Sequence, residues 1–156
     1  MRQVYLSGGM EYAHDEGRSW RSALQEWFER EGEWTVFNPN AESMRLLREE
    51  FAGADLRAMK PRDPARYRSI VSRIVLHDAR EIAERSDLVV CLWDEAAARG
   101  AGTKGELTIA RYFGKPVYMV TAVPQTEIPG WVLGCVTEIF PDFESLQSFL
   151  RRRPAP

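Results

Sequence analysis

Short runs of β-branched, aromatic and other apolar residues alternate along the chain with segments whose apolar residues recur at helical spacing. Five runs are typical of strands, and they occur at Gln3–Ser7, Trp34–Phe37, Leu88–Trp93, Pro116–Thr121 and Val136–Phe140. Helical spacing relates the apolar residues of three intervening segments, namely 20–28, 67–82 and 107–113. We also predict a short helix near 41–50 and a last helix that Asp142 caps and that runs to Leu150.

This alternation predicts an α/β fold in which helices cover both faces of a five-stranded parallel sheet, because each parallel crossover needs a helix. Five strands in this rhythm most often adopt the order 2-1-3-4-5, which is the flavodoxin-like (Rossmann-like) three-layer sandwich. That order places the switch point between the first and third strands. We therefore expect the loop at 7–10 to lie beside the loop at 94–105.

The chain length indicates a single domain. Its 156 residues suit one hydrophobic core and leave little room for a second, so we assign residues 1–156 to one domain. Residues 51–63 break the alternation with Gly53, Pro61 and mixed charges. Because no linker composition marks a boundary there, we predict that this segment is an insertion or a lid.

Composition and charge exclude several classes of partner. The formal net charge is -2 with both signs interspersed, so no strong field favours nucleic acid or a membrane surface. No apolar run approaches the roughly 20 residues needed to cross a bilayer, and the N-terminus lacks a signal-peptide pattern. Cys91 and Cys135 offer neither a disulfide framework nor metal-ligand spacing. We predict a reduced, soluble, cytoplasmic protein without a metal.

Glu106 is the first candidate for chemistry. It follows a buried strand and a loop with Gly100, Gly102 and Gly105, and it shares a helix face with Ala110. A carboxylate near a helix N-terminus stays ionised, as a nucleophile requires. The alternative is a capping box in which Thr103 caps the helix and Glu106 returns to the threonine N–H.

Asp78 is the second candidate because it lies on a stripe that the helix should bury. It comes four residues after Ile74 and four before Ile82. A carboxylate at such a position is costly unless it is paired or lines a polar cavity, which makes it a candidate site residue. The alternative is a structural contact with a helix dipole or with an arginine such as Arg73.

The carboxyl ends of the first and third strands carry further polar groups. Ser7, Gly8, Gly9 and Met10 follow the first strand, where hydroxyl and backbone N–H groups can bind a polar or anionic ligand. The spacing is not that of a Rossmann fingerprint. Asp94 ends the third strand and either binds a ligand or caps the following turn.

Several stretches together resemble the nucleoside 2-deoxyribosyltransferase family, whose relatives include nucleoside monophosphate N-glycosidases. They occur in the family's order along most of the chain from Gln3 to about Thr121. The stretches are Val4–Met10, Asp78 followed by Ser86–Val90, Gly102–Glu106 and Gly114–Val117.

The resemblance implies a flavodoxin-like fold and a role for each matching residue. Glu106 is implied as the nucleophile that attacks the anomeric carbon, Asp78 as the aspartate that holds the sugar or assists proton transfer, and Tyr5 as the residue that orients the nucleophile. The implied substrate contacts are Ser7, Gly8, Gly9, Met10, Asp94, Gly102 and Thr103. The resemblance also implies a homo-oligomer and no cofactor.

One position departs from the family pattern. Many transferases carry an acidic residue six positions before the nucleophile to contact the base, and here that position is Gly100. Asp94 or Glu95 is the candidate substitute. The predicted function is cleavage of the N-glycosidic bond of a (deoxy)nucleoside or nucleotide, with transfer of the sugar to another base or to water. The alternative is a non-catalytic nucleotide-binding or sensor module.

Overall fold

A computed structural model describes residues 1–152 and contains one five-stranded parallel sheet. The strand order β2-β1-β3-β4-β5 confirms the predicted order and the flavodoxin-like architecture. The strands are β1 (Arg2–Gly8), β2 (Trp34–Phe37), β3 (Leu88–Leu92), β4 (Val117–Val120) and β5 (Glu138–Phe140).

The helices connect these strands as the helical spacing predicts. They are α1 (Arg18–Glu31), α2 (Pro39–Glu50), α3 (Leu56–Arg62), α4 (Pro64–Arg80), α5 (Glu95–Arg99), α6 (Gly102–Tyr112), α7 (Gly130–Leu133) and α8 (Phe143–Arg152). A π-helical turn at Glu81–Arg85 extends α4, and a 3-10 turn lies at Gln125–Glu127. Asp142 accepts a hydrogen bond from the Ser145 N–H at 2.7 Å, so it lies where an N-cap is expected.

Each face of the sheet has its own apolar cluster. Tyr5 and Cys91 belong to the cluster that α6 covers through Leu107 and Ala110. On the opposite face, Leu6 and Val90 pack with residues of α1 and α8 such as Leu24 and Leu146. Since side chains alternate along a strand, Ser7 lies on the same face as Tyr5. The end of β1 therefore presents two hydroxyl groups toward α6.

The segment at 51–63 folds back over the loop between β1 and α1. It turns through Ala52 and Gly53, which have φ of 53° and 71°, and then forms α3, which has no buried residue. Lys60 forms an ion pair with Glu11, and Arg57 donates to the Glu11 carbonyl oxygen at 3.3 Å. These polar contacts attach α3 to the loop above the strand ends; a role as a lid stays a prediction.

Cys91 and Cys135 are both free and buried. No helix within residues 1–152 combines the length and apolar character that spanning a membrane requires.

Candidate active site

Glu106 connects α6 to the end of β1. Its Oε1 accepts a hydrogen bond from the Tyr5 hydroxyl at 2.9 Å, and its Oε2 accepts one from the Ser7 hydroxyl at 2.5 Å. Glu106 is the fifth residue of α6, beyond the first turn, where the effect of the helix dipole has fallen off. Hydroxyl donors, rather than the dipole, therefore stabilise the ionised carboxylate.

The alternative for Glu106, a capping box with Thr103, is wrong. Helix α6 begins at Gly102, and its N-cap residue Ala101 makes no side-chain capping bond. Thr103 consequently lies inside the helix, where it is buried, and the Glu106 carboxylate bonds to β1 rather than back to Thr103. Because a buried strand holds this side chain, its position is not explained by helix capping.

Tyr5, on β1, holds the Glu106 carboxylate through its hydroxyl hydrogen bond. The side chain is fully buried, and its ring stacks on Phe37 with centroids 5.2 Å apart and planes inclined by 13°. Burial and the neighbouring charge of Glu106 raise the pKa of Tyr5 well above its usual value. The phenol therefore stays protonated and acts as a donor whose ring orientation is fixed by packing.

Asp78 lies in the last turn of α4 and approaches the same group. Its Oδ1 is buried and has no hydrogen-bond partner within residues 1–152. Burial first, and then the charge of Glu106, raise the pKa of Asp78 to about 8, while the Tyr5 hydroxyl and the charge of Arg21 oppose the rise. Arg73, the arginine named in the alternative for Asp78, pairs with Glu50 instead. At neutral pH this raised pKa favours the protonated form of Asp78.

The two carboxyl groups differ in their surroundings. Burial raises the pKa of Glu106, whereas hydrogen bonds from Ser7 and Tyr5 and the charge of Arg21 lower it. Asp78 has an oxygen without a hydrogen-bond donor among the described residues. The pKa of each group is raised, but only Glu106 accepts two hydroxyl hydrogen bonds that favour its ionised form, and such a difference is the one expected between a nucleophile and a proton donor.

Arg21 is a residue of the site that sequence analysis missed. It is fully buried, and its guanidinium donates to the carbonyl oxygens of Leu6 at 3.1 Å, Gly8 at 2.8 Å and Gly17 at 3.0 Å. The signal was present in the sequence, because Arg21 shares the apolar stripe of α1 with Leu24. A charged residue on an apolar helix stripe made Asp78 a candidate, and Arg21 has the same position on its own helix.

Gly8 and Gly9 allow close packing within the protein. A Cβ at Gly8 would lie 2.8 Å from the Trp20 ring, and a Cβ at Gly9 would lie 2.7 Å from Ala96. Gly9 therefore brings the β1–α1 loop into direct contact with α5. The partly exposed Met10 follows. Binding of a ligand by this loop stays a prediction.

The other predicted binding residues lie at the neighbouring loop. Asp94 Oδ1 accepts a hydrogen bond from the Ala97 N–H at 2.9 Å. This oxygen therefore caps the following turn, which is one of the two alternatives for Asp94. A Cβ at Gly102 or Gly105 would meet no atom within 4 Å, so this side of α6 leaves room beside the partly buried Glu106. Within residues 1–152, no group of three or more His, Cys, Asp or Glu side chains is arranged to hold a metal ion.

A cavity of about 520 Å³ lies between the β1–α1 loop and the β3–α5 loop. Tyr5, Asp78 and Glu106 are not part of its wall, which includes Leu92 from the opposite face of the sheet. The two loops thus meet at the predicted switch point, but the cavity between them is separate from the carboxyl pair. Its lining residues are Gly9, Tyr12, Ala13, His14, Asp15, Gly17, Ser19, Trp20, Leu92, Asp94, Glu95, Ala96 and Arg99.

Comparison with known proteins identifies structural neighbours only. No protein-family model and no curated protein sequence match the chain. The structure resembles the Clostridium botulinum CMP N-glycosidase BcmB with a TM-score of 0.55 and 17% identity, covering 96% of this chain and 98% of that one. It also resembles a conserved protein from Enterococcus faecalis V583 with a TM-score of 0.62 and 16% identity, covering 99% of both chains. At these identities the likeness establishes the fold.

Proposed function

We propose that this protein cleaves the N-glycosidic bond of a (deoxy)nucleoside or nucleotide through a covalent intermediate on Glu106. The observation that carries the proposal is the pair of carboxyl groups around Tyr5. Glu106 accepts two hydroxyl hydrogen bonds, while the pKa of Asp78, raised to about 8, favours its protonated form. The resemblance of the sequence motifs and the CMP N-glycosidase among the structural neighbours support the same class of reaction.

In the first step, a Glu106 carboxylate oxygen forms a bond to the anomeric carbon of the sugar while the bond from that carbon to the base nitrogen breaks. The base leaves with the electron pair of the broken bond and takes the Asp78 proton. Positive charge develops on the sugar during this exchange, and the two carboxyl groups stabilise it. The products are a glycosyl ester of Glu106 and a free base.

In the second step, water or the nitrogen of another base attacks the same carbon. Asp78, now a carboxylate, takes the proton of the incoming nucleophile, and the ester bond breaks to restore the Glu106 carboxylate. Tyr5 and Ser7 donate hydrogen bonds to Glu106 again as its charge returns. Hydrolysis and transfer share the intermediate and differ only in the acceptor.

The substrate contacts in this proposal come from the two loops at the switch point. Ser7 lies next to Glu106, Gly8 to Met10 follow it in the β1–α1 loop, and Gly102 and Thr103 begin the helix that carries Glu106. Asp94 keeps its capping bond and would contact a ligand through its other oxygen. We also propose a homo-oligomer, as the family resemblance implies.

The experiment that tests the proposal is base release from a panel of nucleosides and nucleoside 5'-monophosphates, with ribose and deoxyribose forms of each base. Chromatography separates free base from substrate, and a second base added to the reaction reveals transfer. We expect release from at least one member of the panel. Binding of a nucleotide by calorimetry without any base release would favour the alternative, a non-catalytic nucleotide-binding module.

A further inference from the structure

We infer that Arg21 is a positioning residue whose buried guanidinium fixes the end of β1 and, with it, the Ser7 hydroxyl that donates to Glu106. The inference rests on the proposed role of Glu106 as the nucleophile. Arg21 lies in α1, on the face of the sheet opposite to α6, so it acts through the strand and not by contact with substrate. Its effect on Glu106 has a geometric part and an electrostatic part.

The geometric part is the set of carbonyl groups that Arg21 binds. Its Nε donates to Leu6 and its Nη2 donates to Gly8, the two residues that flank Ser7. Ser7 in turn donates its hydroxyl to Glu106. Because both neighbouring carbonyls are held by one planar group, the backbone of Ser7 is fixed at the position that its hydrogen bond requires.

Gly17 leaves the space that the Arg21 guanidinium occupies. A Cβ at Gly17 would collide with Arg21 Nη1 and would lie 2.6 Å from the Gly9 carbonyl oxygen, and Gly17 has a φ of 70° that suits glycine. The guanidinium carbon of Arg21 also lies 4.6 Å from the centre of the Trp20 ring. Several independent contacts therefore place the cation at one point.

The electrostatic part follows because no carboxylate of the described residues accepts a hydrogen bond from Arg21. Among the described residues its hydrogen-bond acceptors are backbone carbonyl oxygens, whereas most buried arginines pair with a carboxylate. Burial lowers the pKa of Arg21, and the largest opposing effect is the charge of Glu106. The same attraction opposes the rise that burial causes in the pKa of Glu106. The Arg21 cation and the Glu106 carboxylate thus attract each other across β1.

The other ionisable groups around Glu106 do not supply positive charge. Tyr5 and Cys91 are buried with pKa values raised by desolvation and by Glu106, so both remain neutral. Asp78 opposes the ionisation of Glu106 when it is itself ionised. Arg21 therefore adds a positive charge to the hydrogen bonds from Ser7 and Tyr5, and all three favour the ionised form of Glu106.

The test is a carbon NMR titration of the Glu106 carboxyl group in the full chain, in the wild type and in Arg21→Gln and Arg21→Lys. Loss of an opposite charge close to a carboxyl group raises the pKa of that group by about one unit or more. We expect Arg21→Gln to move the Glu106 titration upward by about one pH unit and Arg21→Lys to leave it within about 0.3 of the wild type. A folded Arg21→Gln variant with an unmoved titration would overturn the inference.

A second measurement covers the case in which Arg21→Gln does not fold. In the wild type, the nitrogen resonance of Arg21 Nε should follow the protonation of Glu106, and this response should vanish in Glu106→Gln. A resonance that does not respond to the Glu106 titration overturns the inference. Neither titration requires a substrate, so a positive result with no base release would reject the proposed reaction while the coupling of Arg21 to Glu106 stands.

Discussion

The Tyr5 hydroxyl lies 2.9 Å from Glu106 Oε1 and joins the first strand to a helix residue 101 positions later in the chain. The Tyr5 ring is held by its stacking on Phe37, so the donor has little freedom to move. Ser7 supplies a second donor to the other carboxylate oxygen. The orientation of the candidate nucleophile is consequently a property of the sheet, not of the glycine loop that precedes it.

Tyr5→Phe tests this orientation directly. The substitution keeps the stacked ring and removes the donor to Glu106, and a hydrogen bond to a charged group contributes about 1.5 to 3 kcal/mol. We expect kcat/KM to fall about tenfold to a hundredfold while the protein remains folded. Tyr112→Phe is the matched control, because Tyr112 is 83% exposed and should lose no activity. Equal activity of both variants would remove Tyr5 from the mechanism.

Asp78 determines the expected behaviour of activity at alkaline pH. Its pKa of about 8 means that the proton needed by the departing base is present below that pH and is lost above it. We expect kcat/KM to decline as the pH rises through about 8, with a second decline at acid pH where Glu106 becomes protonated. Asp78→Asn should have a lower kcat/KM without the alkaline decline. A wild-type profile that stays flat to pH 10 would exclude Asp78 as the acid.

Asp78 should also make the free energy of unfolding depend on pH, in a direction that its raised pKa determines. The pKa of Asp78 is raised in the folded state from its ordinary 3.8, so its favourable contribution is complete below pH 4 and is lost as the pH rises through about 8. Asp78→Asn should therefore increase the free energy of unfolding at pH 9 by about 1 to 3 kcal/mol, a range reduced for partial solvent exposure. The two proteins should differ little at pH 4. Urea unfolding at both pH values measures this, and an equal difference at both would contradict it.

Substitutions of Asp94 can distinguish a role in helix capping from a role in ligand binding. Its Oδ1 caps α5, and loss of an N-cap costs about 1 kcal/mol, whereas asparagine caps nearly as well as aspartate. We expect Asp94→Ala to lower the free energy of unfolding by about 1 kcal/mol and Asp94→Asn to leave it nearly unchanged. If Asp94 also contacts substrate through its charge, KM should rise in both variants. An unchanged KM in Asp94→Asn would assign the residue to capping alone.

The order of the elements could be predicted because it depends on local patterns. Alternating strand runs and helical stripes require parallel crossovers, and the sheet order followed from the commonest solution to that constraint. Boundaries were less accurate: β3 ends at Leu92, one residue before the prediction, and β5 begins at Glu138, two residues after it. These differences do not change which loops meet at the switch point.

The contacts of the site could be predicted only in part. Glu106 and Asp78 stood out because carboxylates on apolar stripes are costly, but no spacing rule relates Glu106 to Tyr5 or Ser7 across about a hundred residues. The capping-box prediction failed because α6 begins one residue before Thr103. Arg21 was missed although it lies on the apolar stripe of α1, and the carbonyl groups that it binds could not be predicted from the sequence.

The central claim is that Glu106 forms a covalent bond to the sugar, and intact-mass spectrometry tests it most directly. The wild type and Glu106→Gln are each mixed with a substrate that releases base. The reactions are quenched in acid within one turnover, and the intact mass of each protein is measured. Glu26→Gln, which changes an exposed carboxylate on α1, is the control. We predict a mass increase of one glycosyl group on the wild type and the control, mapped to Glu106 by proteolysis, and none on Glu106→Gln. Base release by Glu106→Gln at the wild-type rate, or an adduct on another residue, would contradict the account.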